Sequence, residues 1–136
     1  MALERDNQAL VVDLMAGDPI VVVDELPVAK VAEVLMDYDI SGLPVVEATG
    51  RLVGVISQTD LLGLLASSRT SFDSMALSAR DVMTQPAVTI RGSASLMEAA
   101  QVMRERRVAR LVVVCDGTDR PLGVISESDL IRAFAR

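Results

Sequence analysis

Two short stretches hold the side chains best suited to binding something. Ser57-Gln58-Thr59-Asp60 and Ser126-Glu127-Ser128-Asp129 share the pattern S-x-x-D and stand 69 residues apart. One reading is local: each serine caps a helix and the aspartate closes a capping box, although Glu or Gln is usual at that third position. An acidic residue in a first turn also suits the helix dipole. The other reading is recognition. A carboxylate can accept both hydrogen bonds of a vicinal diol, and the hydroxyls of Ser57, Thr59, Ser126 and Ser128 can face a phosphate beside the N–H groups of a helix start. The readings are compatible, because a helix N-terminus itself favours anions. Arg110 is a further candidate. It opens an apolar run, where a guanidinium suits a phosphate, whereas Arg104 and Arg106 read as solvated cations at a helix C-terminus.

Other chemistry is excluded by composition. With no His, imidazole catalysis and His-liganded metal sites are ruled out. The lone Cys115 forms no internal disulfide, has no activating neighbour in sequence, and reads as an inert thiol in a reducing compartment. A net charge of −6 disfavours nucleic-acid binding, and three aromatic residues (Tyr38, Phe72, Phe134) offer no stacking platform. The seven Met residues read as core filler. No Gly-rich phosphate loop or catalytic constellation is present, so no enzyme and no cofactor are expected. The chain has neither a signal-peptide pattern nor an apolar run long enough for a bilayer, so the expectation is a cytoplasmic protein with no membrane partner.

The elements that carry these residues occur twice. Val53 to Leu62 returns as Leu122 to Ile131 at an offset of 69, and Val12 to Met15 returns as Arg80 to Met83 at 68. Ile40 to Val46 aligns with Val108 to Val114, also at 68. A nearly constant offset over half the chain marks a tandem duplication. Within the first copy, Ile20 to Val23 reads as a buried strand. Val28, Val31, Ala32 and Leu35 give one apolar helix face, which Leu96, Ala99, Ala100 and Met103 repeat. Leu43–Val46 and Leu52–Ile56 read as a hairpin, with Arg110–Val114 and Leu122–Ile125 as its second copy. Asp60 opens a helix bearing Leu61, Leu62, Leu64 and Leu65. Leu14-Met15 and Val82-Met83 end short lead-in helices. The expected class is α/β (α+β): two β-α-β-β-α repeats, residues 10–66 and 79–136, joined by a Ser-rich linker 67–78 in which Phe72, Met75 and Leu77 pack down. A repeat of about 60 residues buries a marginal fraction of its surface, so the two copies are expected to pack sheet to sheet about a pseudo-two-fold axis.

These residues resemble the cystathionine-β-synthase (CBS) domain family, arranged as a tandem pair over about residues 10 to 134. The resemblance rests on the Met-containing lead-ins, the Leu43-Pro44-Val45-Val46 strand, and the pattern G-[IV]-[IV]-[ST]-x-x-D-[IL] at Gly54–Leu61 and Gly123–Leu130. Two departures stand out: Val112 replaces Pro44, and Pro19 and Pro86 are not at equivalent positions. The resemblance implies a regulatory module that binds adenosine-containing ligands such as AMP or ATP, signals to a protein partner and dimerises with a second copy. It also implies clefts that mix the repeats. One joins Thr84, Val88, Val108, Ala109 and Arg110 to Ile56, Ser57, Thr59 and Asp60. The other joins Ile20, Ile40, Ser41 and Gly42 to Ile125, Ser126, Ser128 and Asp129. Asp60 and Asp129 then hold ribose, the apolar members sandwich the purine, and Arg110, whose counterpart is Gly42, gives one cleft a phosphate-binding charge. Two alternatives remain open: a ligand-free dimerisation module, and an excised regulatory domain of a larger transporter or enzyme.

Overall fold

The computed structural model describes residues 9–67 and 76–135. Phe72 and Met75 fall outside these, while Leu77 is half-buried and its carbonyl accepts from Val28 N (2.9 Å). In chain order the elements are α1 (Val11–Leu14), β1 (Ala16–Gly17), β2 (Val22–Val23), α2 (Val28–Asp37), β3 (Gly42–Val46), β4 (Leu52–Ser57), α3 (Gln58–Ala66), α4 (Ala79–Val82), β5 (Thr89–Arg91), α5 (Leu96–Arg106), β6 (Arg110–Val114), β7 (Pro121–Ser126) and α6 (Glu127–Phe134). The mixed α/β class is as expected, with two sheets, ordered β2-β3-β4 and β1-β7-β6-β5.

The compact units are partitioned differently from the repeats. One unit is Ile20–Ala87; the other combines the chain up to Pro19 with Val88 onward. Each repeat's lead-in helix therefore packs in the unit built mainly from the other repeat. The same three backbone bonds fasten it in both units. In the Ile20–Ala87 unit they are Val28 N to Leu77 O (2.9 Å), Ala79 N to Leu26 O (2.8 Å) and Arg80 N to Asp24 O (2.9 Å). In the other they are Leu96 N to Ala9 O (3.2 Å), Val11 N to Ala94 O (2.8 Å) and Val12 N to Gly92 O (3.0 Å). Apolar burial follows the same exchange. Ala79 joins the core of Val31, Leu35, Leu43, Val45 and Ile56, and Val11 joins that of Ala99, Met103, Leu111, Val113 and Ile125.

The helix faces read from the sequence hold with one exception in the second copy. Leu96, Ala99 and Met103 are buried, but Ala100 is exposed. The first strand is shorter than its β-branched run suggests, because β2 covers only Val22–Val23 of Ile20–Val23. The cause lies in the partner strand. In the second repeat, Val112 N donates to Val88 O (3.1 Å) and β5 pairs three residues with β6. Its counterpart Pro44 has no N–H to donate, so β2 pairs with β3 only at Val45 and Val46. Proline thus makes the two units locally unequal.

A second inequality concerns the lead-in latch. Asp24 is a buried carboxylate, 3% exposed, and Arg80 forms an ion pair with it. The Asp24 hydrogen bond, then its charge, raise the Arg80 guanidinium further above its ordinary pKa, so it stays charged. At the equivalent positions the other unit has Gly92 and Val12, an apolar contact with no charge. Asp24 is buried while the Arg80 side chain is 61% exposed, so removing Arg80 strands a buried carboxylate, whereas replacing both with apolar groups is often tolerated. Arg80→Ala is therefore expected to lower the melting temperature by several degrees. The double change Asp24→Gly/Arg80→Val, which installs the other unit's solution, is expected to recover part of that loss in the same thermal scan.

Candidate functional site

Local chemistry dictates the geometry of the S-x-x-D elements. Ser57 is the N-cap of α3: its Oγ accepts from Asp60 N (3.3 Å), and Asp60 Oδ2 accepts from Ser57 N (2.8 Å) and from Ser57 Oγ (3.1 Å). Ser126 and Asp129 reproduce this at α6, with Ser126 N at 2.8 Å and Ser126 Oγ at 3.0 Å from Asp129 Oδ2. The capping reading is thus realised at both ends, with Asp as the third member of the box. Asp60 does not open its helix, as expected from sequence, but sits three residues past the cap.

Capping uses one oxygen of each carboxylate, and the second oxygen differs. Asp60 Oδ1 accepts from Thr84 Oγ1 at 3.0 Å. This joins two candidates that stand 24 residues apart. Asp129 Oδ1 instead accepts from Arg132 Nη1 at 3.2 Å. The counterpart of Thr84 is Ala16, and that of Arg132 is Gly63. Asp60 is therefore steadied by a hydroxyl, with no ion-pair partner among the described residues, while Asp129 is paired with its own helix's cation. An oxygen with two lone pairs keeps an acceptor site after receiving one hydrogen bond.

Thr84 reaches Asp60 because the backbone beside it has no side chain. Thr84 and Val55 exchange backbone hydrogen bonds (2.8 and 3.0 Å). A Cβ on the neighbouring Gly54 would lie 2.7 Å from Met83 Sδ and 2.8 Å from Thr84 O. At the equivalent Gly123, a Cβ would collide with Ala16 O and with Met15 Sδ. Gly54 and Gly123 are positioning residues that reading side-chain chemistry alone passes over. The available signal was the glycine repeated at one offset.

The remaining candidates divide by unit. Gly42 pairs with Ser57 across β3 and β4, and Ser41 O accepts from Gln58 N (2.9 Å). Arg110 pairs with Ser126 across β6 and β7, and Ala109 O accepts from Glu127 N (2.9 Å). Thr59, Thr84, Ala109, Arg110 and Ser128 are exposed; Ile20, Ile40, Ser41, Gly42, Val88 and Val108 are half-buried. Ile56 and Ile125 are both 0% exposed in the cores, because strand alternation turns their side chains inward. Cys115 is exposed, so a serine there would bury no hydroxyl. Among the described residues, no group of three His, Cys, Asp or Glu side chains is placed to hold a metal, and no helix is long and apolar enough to cross a membrane.

Comparison with known proteins gives this arrangement its context. The family model for the CBS domain matches twice, at residues 11–67 and 79–136. The CBS domain pair of protein MJ0100, solved with 5'-methylthioadenosine and S-adenosyl-L-methionine, is 25% identical with a TM-score of 0.81, covering 93% of this chain and 96% of that one. The structure of CBSX2 in complex with AMP is 30% identical with a TM-score of 0.78, covering 91% and 94% respectively. L-aspartate semialdehyde sulfurtransferase from Methanocaldococcus jannaschii is 26% identical over 125 residues, which is 92% of this chain but 23% of the relative. The chain thus spans about a quarter of the length of the curated relatives it matches.

The close approach at Gly54 makes a clear expectation. Gly54→Ala should cost about 1–3 kcal/mol in urea unfolding, because overpacking against backbone cannot relax cheaply. Gly63→Ala, at a helix position with nothing within 4 Å, should instead gain roughly 0.5–1 kcal/mol from helix propensity.

Proposed function

From the premise that the chain belongs to the CBS domain family and carries two copies of the domain, we propose that it is a regulatory module. It binds an adenosine-containing nucleotide and passes the bound state to a protein partner. The observation that carries this reading is the Asp60 carboxylate. Ser57 and Thr84 hold it in place, no ion-pair partner among the described residues offsets it, and it is only half-buried. That leaves Oδ1 one acceptor site for a ribose hydroxyl. Ser41 and Thr59 are further polar groups of the same unit; the other unit offers Arg110, a guanidinium for phosphate, with Ser126, Ser128 and Asp129. The ligands named with the two solved relatives, AMP, 5'-methylthioadenosine and S-adenosyl-L-methionine, all contain adenosine. A ligand can shift such a module only by its differential affinity for two conformations. Because the chain spans a quarter of its curated relatives, the module is read as the regulatory part of a larger activity or as a partner to one.

We also propose a homodimer. Leu62, Leu65, Ile131 and Phe134 are 63%, 72%, 66% and 62% exposed. They occupy equivalent positions of α3 and α6 in the two repeats, and exposed apolar surface of this kind marks an interface.

Calorimetric titration with AMP, ATP and adenosine tests the nucleotide reading. Asp60→Ala should weaken all three by about tenfold to a hundredfold, equivalent to about 1.5–3 kcal/mol for a charge-assisted hydrogen bond. Arg110→Ala should weaken AMP and ATP by a similar factor and spare adenosine. Asp129→Ala should have the smaller effect, because Arg132 already occupies that carboxylate. If Arg110→Ala weakened adenosine as much as AMP, Arg110 would not be a phosphate ligand. If none of the nucleotides bound the unaltered protein, the ligand-free dimerisation module would be the better account. Light scattering that returned a monomer mass at micromolar concentration would remove the homodimer.

A further inference from the structure

Arg80, which pairs with Asp24, stands four residues before Thr84. Between them runs α4, which spans only Ala79–Val82. A single turn is too short to hold its own conformation, so its place is set by what grips its two ends. At the first end, Ala79 N donates to Leu26 O (2.8 Å) and Arg80 N to Asp24 O (2.9 Å), and the Arg80 guanidinium closes on the Asp24 carboxylate. At the second, Met83 N donates to Ala79 O (2.8 Å), Thr84 and Val55 exchange backbone bonds, and Thr84 Oγ1 donates to Asp60 Oδ1 (3.0 Å). All of these residues belong to the Ile20–Ala87 unit.

The other unit seats its lead-in helix without an ion pair. Val12 N donates to Gly92 O (3.0 Å), just as Arg80 N does to Asp24 O, but neither Val12 nor Gly92 carries a charge. The residue standing where Thr84 would be is Ala16, which has no hydroxyl. The charged pair and the site hydroxyl thus occur together in one unit and are both missing from the other. Burying the Asp24 carboxylate, 3% exposed, carries a desolvation cost that the apolar arrangement avoids. What the pair adds is direction: a guanidinium and a carboxylate meet in a defined geometry, whereas apolar contact is non-directional. Thr84 needs that direction, because a shift of about 0.5 Å takes its 3.0 Å hydrogen bond to the edge of bonding distance.

We infer that Arg80 and Asp24 are positioning residues of the nucleotide site. Their ion pair fixes α4 so that Thr84 Oγ1 stays on Asp60 Oδ1, and thereby fixes the direction of the acceptor site left for a ribose hydroxyl. Both act through Thr84 and not on the ligand. This rests on the nucleotide reading of Asp60 proposed above and deepens it by two residues.

Two measurements on the full chain test it, using Arg80→Ala and the milder Asp24→Asn, which removes the buried charge but keeps the shape. Amide hydrogen exchange without ligand reads the hold on Thr84. Each variant should speed exchange of the Thr84 and Val55 amides about tenfold more than that of the β3–β4 ladder, which follows overall stability. Calorimetric titration with adenosine reads the site. Arg80→Ala should weaken binding about threefold to tenfold, on the order of one hydrogen bond, and Thr84→Val should do the same. In the Thr84→Val background, Arg80→Ala should change affinity by less than about twofold, because residues that act through one contact do not add. Exchange that rises evenly across the unit, or an Arg80→Ala loss as large with Thr84→Val as without it, would overturn the positioning role and leave the nucleotide reading standing. An unaltered chain that binds no adenosine would overturn the nucleotide reading and this inference with it.

Discussion

Everything at the candidate site depends on one close approach of backbone to backbone. Thr84 can bond to Asp60 only because Gly54 presents no Cβ to Met83 and Thr84. The same clearance at Gly123 admits Met15 and Ala16 and lets β1 pair with β7. Without these contacts the lead-in helices would lose their seat, and each core would lose a fully buried member, Ala79 or Val11. The missing methyl group therefore links packing to chemistry. It sets how near the lead-in hydroxyl comes to the carboxylate that α3 holds at its N-terminus.

Duplication supplied two equal frameworks, and substitution has since made them unequal where it matters. The capping geometry agrees within about 0.1 Å between Ser57–Asp60 and Ser126–Asp129. Around that constant frame, Thr84 stands opposite Ala16, Arg132 opposite Gly63, Arg110 opposite Gly42, and the Asp24–Arg80 pair opposite Gly92 and Val12. Each difference alters charge or hydrogen bonding. One frame presents an uncompensated carboxylate, the other a compensated carboxylate beside a free-standing guanidinium.

Much of this was legible in the sequence because the chain is its own alignment. The offset of 68–69 residues located the helix faces, both hairpins and both S-x-x-D caps, since two independent stretches had to satisfy one period. Thr84 was also legible as a candidate, through the resemblance to the CBS domain family. What periodicity does not encode is which copy a lead-in packs against. Either choice buries the same residues, so the exchange of α1 and α4 between units was invisible. The short β2 was hidden for a different reason: Ile20 to Val23 has strong strand character, and the constraint sits in Pro44, on another strand. The burial of Ile56 and Ile125 was not legible either, because a motif match does not say which face of a strand a residue occupies.

The exchange of lead-in segments also sets an order of manufacture. The unit Ile20–Ala87 is one unbroken stretch of chain, complete once α4 and Thr84 have left the ribosome, and domains tend to fold as units while synthesis continues. The other unit takes its first strand and helix from the chain's start and its last from Glu127–Phe134. Val11 must wait with its side chain exposed until more than a hundred further residues have been added. Of that unit's segments, the first made is thus the last buried. While Ile20–Ala87 is already whole, α1 still awaits the segment from Val88 onward that will cover it.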